Sequence, residues 1–329
     1  MAPMKALRFV LLLAAGALSA DEPPIPASAP VGEMVFVSCF KQTMEAPAFE
    51  AAAALKPDVF VWMGDNVYGD TEDMAVLRAK YQVAREHPAY AAIRATSRVI
   101  GTWDDHDYGA NDAGKEYPMK KEAQQVFLDF LDVPEASPRR TQEGVYSVAD
   151  FGPPGQMVRV ILLDTRYFRD PVGSDGTILG EAQWQWLEKV LSGSTAKVNI
   201  LVSSIQVLPS EHRWEKWANF PKERKRLLDL LAKPEMPPVL LISGDRHVAE
   251  LSLDSQTCGY PLYEMTSSSL NLPLGKGDEP NRYRVSELFR PSNFGTVSVD
   301  WSRPVPVVTA CVRDEAGRPQ RAVSLTLER

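Results

Sequence analysis

The chain has 329 residues, of which 44% are hydrophobic and 24% charged, and this is the composition of an ordinary soluble globular protein. Its length accommodates one large domain or two of average size. Its formal net charge of −7 argues against broad electrostatic capture of nucleic acid or of an anionic membrane, so we expect no specific nucleic-acid binding. An anionic ligand would need metal ions or a few arginines to supply positive charge.

The N-terminus has the pattern of a secretory signal peptide. Lys5 and Arg8 precede or enter an apolar run from Phe9 to Leu18, which is too short to span a bilayer, and small residues follow it. We predict a signal peptide over residues 1–20, a Pro- and Ala-rich linker over 21–32 and a single domain over 33–329. A buried N-terminal helix is the alternative. The pattern lacks an arginine pair, which favours the general secretory route, a periplasmic or secreted location and no transmembrane segment in the mature chain.

Apolar runs then alternate with helical patterns along the chain. The predicted strands are Met34–Val37, Val59–Met63, Arg98–Thr102, Val158–Leu163, Val198–Ser203, Val239–Ile242 and Leu262–Met265. The predicted helices are Pro47–Leu55, Glu72–Glu86, Pro118–Leu131, Glu181–Leu191 and Pro221–Leu231. This alternation indicates an α/β protein. After Ser292 three more strand patterns joined by turns predict an antiparallel end to a sheet, so we expect mixed sheets.

The chain has three cysteines, and export would place them in an oxidising compartment. Cys258 and Cys311 could form a disulfide there, although the sequence does not decide whether they do. Cys39 would then be the odd thiol.

Polar side chains directly follow most of the predicted strands. In α/β sheets the ligand crevice lies beyond the carboxyl ends of the strands, so we expect these side chains to converge on one edge. They are Cys39, Asp65, Tyr68, Asp104, Asp105, His106, Asp107, Asp164, Arg166, Ser204, Gln206, Asp245 and His247.

Three of these strand ends predict metal ligands. An isolated Gly-Asp such as the one that contains Asp65 more often caps a turn, but the second one, at Asp245, has His247 two residues on, and Asp-x-His is a compact pair of ligands. The segment GTWDDHDYGAND crowds carboxylates at a buried strand end, where they repel unless cations neutralise them. Hard divalent cations suit such oxygen ligands, and Asn111 adds a carbonyl oxygen.

Cys39 and Tyr68 are more often structural residues, a buried thiol and a core phenol. As metal ligands both must lose a proton, which a trivalent ion favours strongly. A thiolate and a phenolate together therefore suggest iron rather than magnesium or calcium alone.

The order of motifs resembles that of the calcineurin-like metallophosphoesterase superfamily, and more closely the alkaline phosphatase D (PhoD-like) family. The matching segments are VSCF, MGDNVYGD, TWDDHDYGAND, LLDTRYFRD, LVSSIQVLPSEHRWEKWANFP and LISGDRHVAEL, which together span residues 34–251. Ordinary superfamily members have an Asp-x-His where this chain has Cys39, and a second acid where it has Tyr68. These departures are the ones that set the PhoD-like family apart.

The resemblance implies a four-layer α/β/β/α sandwich with two mixed β-sheets. It implies iron (Fe3+) bound by Cys39, Asp65 and Tyr68, and calcium (Ca2+) held nearby by Asp65, Asn111, Asp245 and His247. Asp105 is a further ligand candidate. Other divalent metals fit the same pattern.

The resemblance also implies an exported hydrolase of small-molecule or lipid phosphate esters, either a phosphomonoesterase or a phosphodiesterase, which uses a metal-activated water. Asp104, His106 and Arg166 are the catalytic candidates, with His106 as proton donor to the leaving alkoxide. Arg166 could bind a phosphate oxygen, although pairing with Asp164 is as good an interpretation. His212 is a second substrate-binding candidate.

Two alternatives stay open. One is phospholipase-D-like cleavage of phospholipid head groups. The other is a non-catalytic protein of the cell envelope that binds metal or phosphate through Asp245 and His247.

Overall fold

The computed structural model describes residues 29–274 and 279–329, so the predicted signal peptide and most of the predicted linker lie outside the described residues. The strands are β1 (Glu33–Val37), β2 (Val59–Met63), β3 (Arg98–Thr102), β4 (Ser147–Phe151), β5 (Val158–Leu162), β6 (Val198–Ser203), β7 (Leu240–Ser243), β8 (Ala249–Asp254), β9 (Leu262–Ser267), β10 (Asn293–Asp300), β11 (Val307–Asp314) and β12 (Pro319–Leu325). The helices are α1 (Pro47–Ala54), α2 (Met74–Glu86), α3 (Pro88–Thr96), α4 (Asp105–Tyr108), α5 (Lys120–Phe130), α6 (Gly180–Ser192) and α7 (Pro221–Ala232).

The strands form two six-stranded sheets. The first has the order β12-β11-β10-β1-β2-β3, and the second has the order β4-β5-β6-β7-β9-β8. In the first sheet β1, β2 and β3 are parallel and β10, β11 and β12 antiparallel. In the second, β5, β6, β7 and β9 are parallel, and antiparallel strands form both edges. Both sheets are therefore mixed, as predicted.

Three apolar cores separate four layers. Helices α1, α2, α3 and α5 cover the outer face of the first sheet. The two sheets pack against each other through a second core, and α6 and α7 cover the outer face of the second sheet. This is the predicted α/β/β/α sandwich, and it is confirmed.

The run from Val59 to Met63 shows why continuous apolar strands build this arrangement. All five residues of β2 are buried. Successive side chains of a strand point to opposite faces, so Phe60 and Trp62 enter the core under the helices while Val59, Val61 and Met63 enter the core between the sheets. A strand that is buried on both faces has no solvent face, so its polar groups can only follow it.

Besides the single turn of α4, three elements were not predicted. α3 begins immediately after α2, because the extended backbone of His87 before Pro88 ends one helix and allows another to start. β4 and β8 are edge strands whose sequences, SVADF and AELSLD, mix polar with apolar residues, which gives a weaker signal than the buried parallel strands do. No helix within the described ranges has the length and apolar character needed to cross a membrane.

The three cysteines are free thiols, and all are buried. Cys258 and Cys311 therefore do not form the disulfide that the sequence left open. The Cys258 thiol contacts the carbonyl of Leu228, whereas Cys311 lies in β11.

Candidate metal centre

The carboxyl ends of β1, β2, β3 and β7 meet at one edge of the sandwich, where a cavity of about 350 Å³ opens. Asp65, Tyr68, Asp105, Asn111, Asp245 and His247 line it. Cys39 is fully buried, and its sulfur lies 3.4 Å from Asp65 Oδ2. The structure thus brings together every residue that the sequence assigned to metal binding.

The backbone at this edge is strained in the same way at four positions. Cys39, Asp65, Asp245 and His247 have φ values of 56°, 52°, 68° and 55°, in the left-handed region that residues other than glycine seldom adopt. Gly64 has a φ of 106°, and a Cβ atom there would lie 2.5 Å from Cβ of Asp104. Such strain clusters at functional sites, where the surrounding structure must hold it in place.

The first group of potential ligands consists of Cys39, Asp65 and His247, whose ligand atoms lie within 4.8 Å of one another. The Tyr68 hydroxyl lies 3.4 Å from Asp65 Oδ2 and 3.2 Å from His247 Nε2. Asp65 Oδ1 is buried and has no hydrogen-bond partner among the described residues. A thiol, a phenol, an imidazole and a carboxylate with one unsatisfied oxygen therefore face a common point, which fits a cation.

The orientation of His247 is set by the loop after β9. Its Nδ1 lies 2.5 Å from the carbonyl oxygen of Leu272, and its backbone N–H donates to Ser268 Oγ at 3.0 Å. Donation from Nδ1–H to a carbonyl makes Nε2 the nitrogen that faces the cavity, where it could bind a metal once its proton is lost. His247, which the resemblance assigned to the calcium ligands, thus lies with Cys39 and Asp65.

A second group contains oxygen ligands only. Carboxylate oxygens of Asp104, Asp105 and Asp245 lie within 4.8 Å of one another. Asp65 and Asp105 form a separate group with a ring nitrogen of His106. Asn111 is exposed at the cavity wall, where its amide donates to Asp112 at 2.9 Å. Asp65 thus belongs to the first group and also lies close to Asp105 of the second, so its carboxylate stands between the two groups.

In the metal-free protein, burial and mutual repulsion disfavour the ionised forms of several acids at this edge. Burial raises the pKa of Asp65, and Cys39 and Asp105 raise it further, so its carboxyl is held neutral well above the usual range. Burial and the same negative neighbours raise the pKa of Tyr68 far above that of an ordinary phenol. Burial likewise raises the pKa of Asp245, aided by Asp104.

Cys39 is the exception. Burial favours the neutral thiol, but the charge of His247 and hydrogen bonds from His247, Ser268 and Ser38 outweigh it and lower the pKa of Cys39 to about 6. A thiolate at neutral pH is the form that binds a metal.

His106 lies against the centre and is held by Asp70. Its Nδ1 is 2.6 Å from Asp70 Oδ1, and its ring packs on that of Tyr68 with 4.3 Å between centroids. Burial lowers its pKa, but the bond to Asp70 and the charge of Asp105 prevail and raise it to about 9. The imidazole therefore carries a proton at neutral pH.

Asp107 organises the centre without lining the cavity, and sequence reasoning did not select it as a site residue. Its Oδ1 accepts from the backbone N–H groups of Asp65 at 3.1 Å and Asp104 at 2.7 Å, and its Oδ2 accepts from Tyr81 at 3.1 Å and from Asn66. It thereby fixes the loop after β2 relative to the start of α4. The crowded acids of its segment offered no means of distinguishing it from its neighbours.

Arg166 and Asp104 lie beneath the cavity. Arg166 Nε donates to Asp104 Oδ1 at 2.6 Å, and its terminal nitrogen lies 2.6 Å from Glu215 Oε2, with none of the guanidinium exposed. Ser204 also donates to Asp104 Oδ1, at 2.6 Å. Asp164 accepts from the backbone N–H groups of Arg166, Tyr167 and Val145, so its contact with Arg166 is through the backbone and the guanidinium pairs with Asp104 and Glu215 instead.

His212 does not line the cavity either. It is 5% exposed, neither ring nitrogen has a hydrogen-bond partner within the described ranges, and burial together with Arg246, Lys216 and Arg284 lowers its pKa to about 3. The arginines that do line the cavity are Arg213 and Arg246, and sequence reasoning selected neither.

A model of the PhoD-like phosphatase family matches residues 34–290. The chain is 25% identical over 285 residues to alkaline phosphatase D of Bacillus subtilis (strain 168), an alignment that covers 69% of this chain and 48% of that protein. The chain thus spans about half the length of the curated relative it matches.

Solved structures with the same fold include PhoD, which matches with a TM-score of 0.73 and 20% identity over 93% of this chain and 70% of PhoD. A purple acid phosphatase from yellow lupin (Lupinus luteus) seeds matches with a TM-score of 0.64 and 12% identity over 92% of this chain and 55% of its own. GAP50, described as the anchor in the inner membrane complex of Plasmodium, matches with a TM-score of 0.63 and 14% identity over 92% of this chain and 90% of its own.

Proposed function

Because the chain belongs to the PhoD-like phosphatase family, we propose that it is an exported, metal-dependent phosphoester hydrolase, an alkaline phosphatase or phosphodiesterase. The observation that carries this proposal is the convergence of Cys39, Tyr68 and His247 on the buried carboxylate of Asp65, whose other oxygen has no hydrogen-bond partner among the described residues. Six carboxylates and two arginines line the cavity, so bound cations would offset the negative charge that an anionic ester meets there.

We assign iron (Fe3+) to Cys39, Asp65, Tyr68 and His247, since a thiolate and a phenolate suit a trivalent ion. We assign calcium (Ca2+) to the oxygen ligands of Asp65, Asp105, Asn111 and Asp245. When bound, the ions would supply positive charge to the phosphate oxygens and acidify the attacking water. Asp65 would hold the two ions at a fixed separation.

We assign the catalytic roles of this chain's own side chains from where each one lies relative to the cavity. His106 lines the cavity and holds its proton at neutral pH, and because Nδ1 is engaged by Asp70, Nε2–H is the group that donates to the leaving alkoxide. Asp104 and Arg166 act from beneath the cavity, because their ion pair fixes the carboxylate beside Asp105 and Asp245. Arg166 is therefore a positioning residue rather than a phosphate ligand.

The proposal is tested on purified protein reconstituted with Fe3+ and Ca2+. We expect metal content by elemental analysis, a visible absorption band from phenolate-to-iron charge transfer, and turnover of monoester and diester substrates at alkaline pH. Protein that binds no metal after reconstitution would contradict the hydrolase. Metal binding without any turnover would instead favour the envelope-binder alternative, and GAP50 is a protein of this fold that is described as an anchor.

Replacement of Tyr68 by Phe separates the ligand assignment from general damage. We expect Y68F to lose the visible band, whereas Y263F, at a partly buried tyrosine remote from the cavity, keeps it. Colour that persists in Y68F would remove Tyr68 from the ligand set.

Two finer parts of the proposal need their own measurements. A phospholipid offered in mixed micelles beside the small esters tests head-group cleavage. Fractionation of cells that express the full chain tests export, and the mature N-terminus should begin near residue 21 if residues 1–20 are a signal peptide.

A further inference from the structure

The mouth of the cavity differs in chemistry from its floor. The ligand side chains on the floor are mostly buried, whereas the mouth exposes Arg213, 45% of Trp214 and 53% of Leu274. A substrate phosphate that is held at the floor therefore directs the alcohol side of the ester toward these residues.

Trp214 holds two arginines at this mouth. The guanidinium of Arg213 lies 4.4 Å from the centroid of the indole ring, and that of Arg246 lies 5.6 Å from it. The indole N–H donates to Glu279 at 2.7 Å, and the other oxygen of Glu279 pairs with Arg246. A guanidinium stacked on an indole is preorganised, so it loses less freedom when it binds an anion.

The two arginines are not equivalent. Arg246 is 7% exposed and is neutralised by Glu279. Arg213 is exposed and has no carboxylate partner in the part of the chain that the structure describes. Arg166, the sequence candidate for anion binding, is sequestered by Asp104 and Glu215. Of the two arginines that line the cavity, Arg213 is therefore the one that no described carboxylate neutralises.

We propose that Arg213, stacked on Trp214, binds a second anionic group on the alcohol side of the substrate, such as a carboxylate. This rests on the proposed function, because it places the scissile phosphate at the metal centre. The size of the cavity supports it, since about 350 Å³ lies within the range of sites that hold organic ligands. The preferred substrate is thus an ester whose alcohol carries a negative charge beyond that of its phosphate.

The test compares phenyl phosphate with 4-carboxyphenyl phosphate on the metal-loaded enzyme. The quantity measured is the ratio of kcat/KM for the carboxylated ester to that for the plain ester. We expect R213Q to lower this ratio about tenfold, which is what loss of one charge-assisted hydrogen bond costs. R213K should recover part of the loss because it keeps the charge, and W214L should lower the ratio less than R213Q does.

The control is R303Q, which removes one exposed arginine outside the cavity and changes net charge by the same amount. It should keep the wild-type ratio. A ratio in R213Q equal to that of the wild type overturns the inference while leaving the phosphoesterase intact.

A binding measurement covers the case in which neither ester is hydrolysed. The Kd of 4-carboxyphenylphosphonate, which cannot be hydrolysed, is measured by calorimetry on the metal-loaded wild type, R213Q and R303Q. A Kd about tenfold weaker in R213Q alone supports the anion site even where the hydrolase proposal fails. Equal affinity in all three proteins overturns it.

Discussion

The parallel half of the first sheet (β1, β2 and β3) is hydrogen-bonded to the antiparallel half (β10, β11 and β12) through β1 and β10. The two halves differ in the residues at the carboxyl ends of their strands. Parallel β1, β2 and β3 are buried runs, and polar residues with left-handed backbone come after β1 and β2 at the cavity edge. Antiparallel β10, β11 and β12 are joined by short turns and contribute none of the described residues that line the cavity. The difference shows that strand direction, rather than membership of the sheet, determines where chemistry is placed.

The largest expected effect is that of D65N. Loss of a residue that only hydrogen-bonds to a metal ligand costs up to ~100-fold in activity. Because Asp65 is itself a proposed ligand, we expect D65N to lower kcat/KM by more than this and to bind one metal ion fewer. In the metal-free protein the same change should raise the free energy of unfolding, because it removes a buried acid whose pKa is raised by burial and by Cys39. Metal analysis measures the loss of metal, and urea unfolding measures the free energy of unfolding. Normal activity in D65N would contradict the view that the parallel half of the first sheet supplies the ligands.

D107N should act at the same edge without touching a metal. Its carboxylate accepts the backbone N–H groups of Asp65 and Asp104, so we expect about 10- to 100-fold weaker metal affinity or kcat/KM. Titration of metal into the apoprotein measures this. If D107N binds metal as the wild type does, the loop after β2 does not need Asp107 to hold its geometry.

The buried His212 beside the cavity predicts a pH effect on stability. Its folded pKa of about 3 lies below the ordinary value because of burial, Arg246, Lys216 and Arg284. As pH falls below about 6.5 the unfolded chain takes up this proton before the folded protein does, so stability is lost on acidification. Between pH 7 and pH 5 the wild type should lose about 2 kcal/mol more than H212Q. Parallel losses in the two proteins would contradict this.

T309V should have the smallest effect. The hydroxyl of Thr309 in β11 contacts that of Ser324 in β12 at 2.8 Å on an exposed face, so its loss should change the free energy of unfolding by less than about 0.5 kcal/mol. Activity and metal content should match the wild type. A loss of activity in T309V would show that the antiparallel half contributes to the centre, contrary to the comparison.

Much of the fold was predictable because its signals are local. Continuous apolar runs identified β1, β2, β3, β5, β6, β7 and β9, and helical spacing identified five of the helices. The edge strands β4 and β8 were not predicted, because a strand that contains polar residues resembles a loop until the strand that it pairs with is known. The position of most ligand candidates at this edge was predictable for the same local reason, because they come shortly after a buried strand, whereas Asn111 follows α4.

The sequence by itself determined which chemical groups lie at the strand ends, and hence that thiol, phenol, imidazole and carboxylates share one edge. Only the tertiary structure decided how these groups pair. It placed His247 beside Cys39, enclosed Arg166 between two acids and left Arg213 open to the cavity. The physical reason is that chain order sets residue identity, whereas burial and interatomic distance set whether a charge is neutralised by the protein or remains available to a ligand.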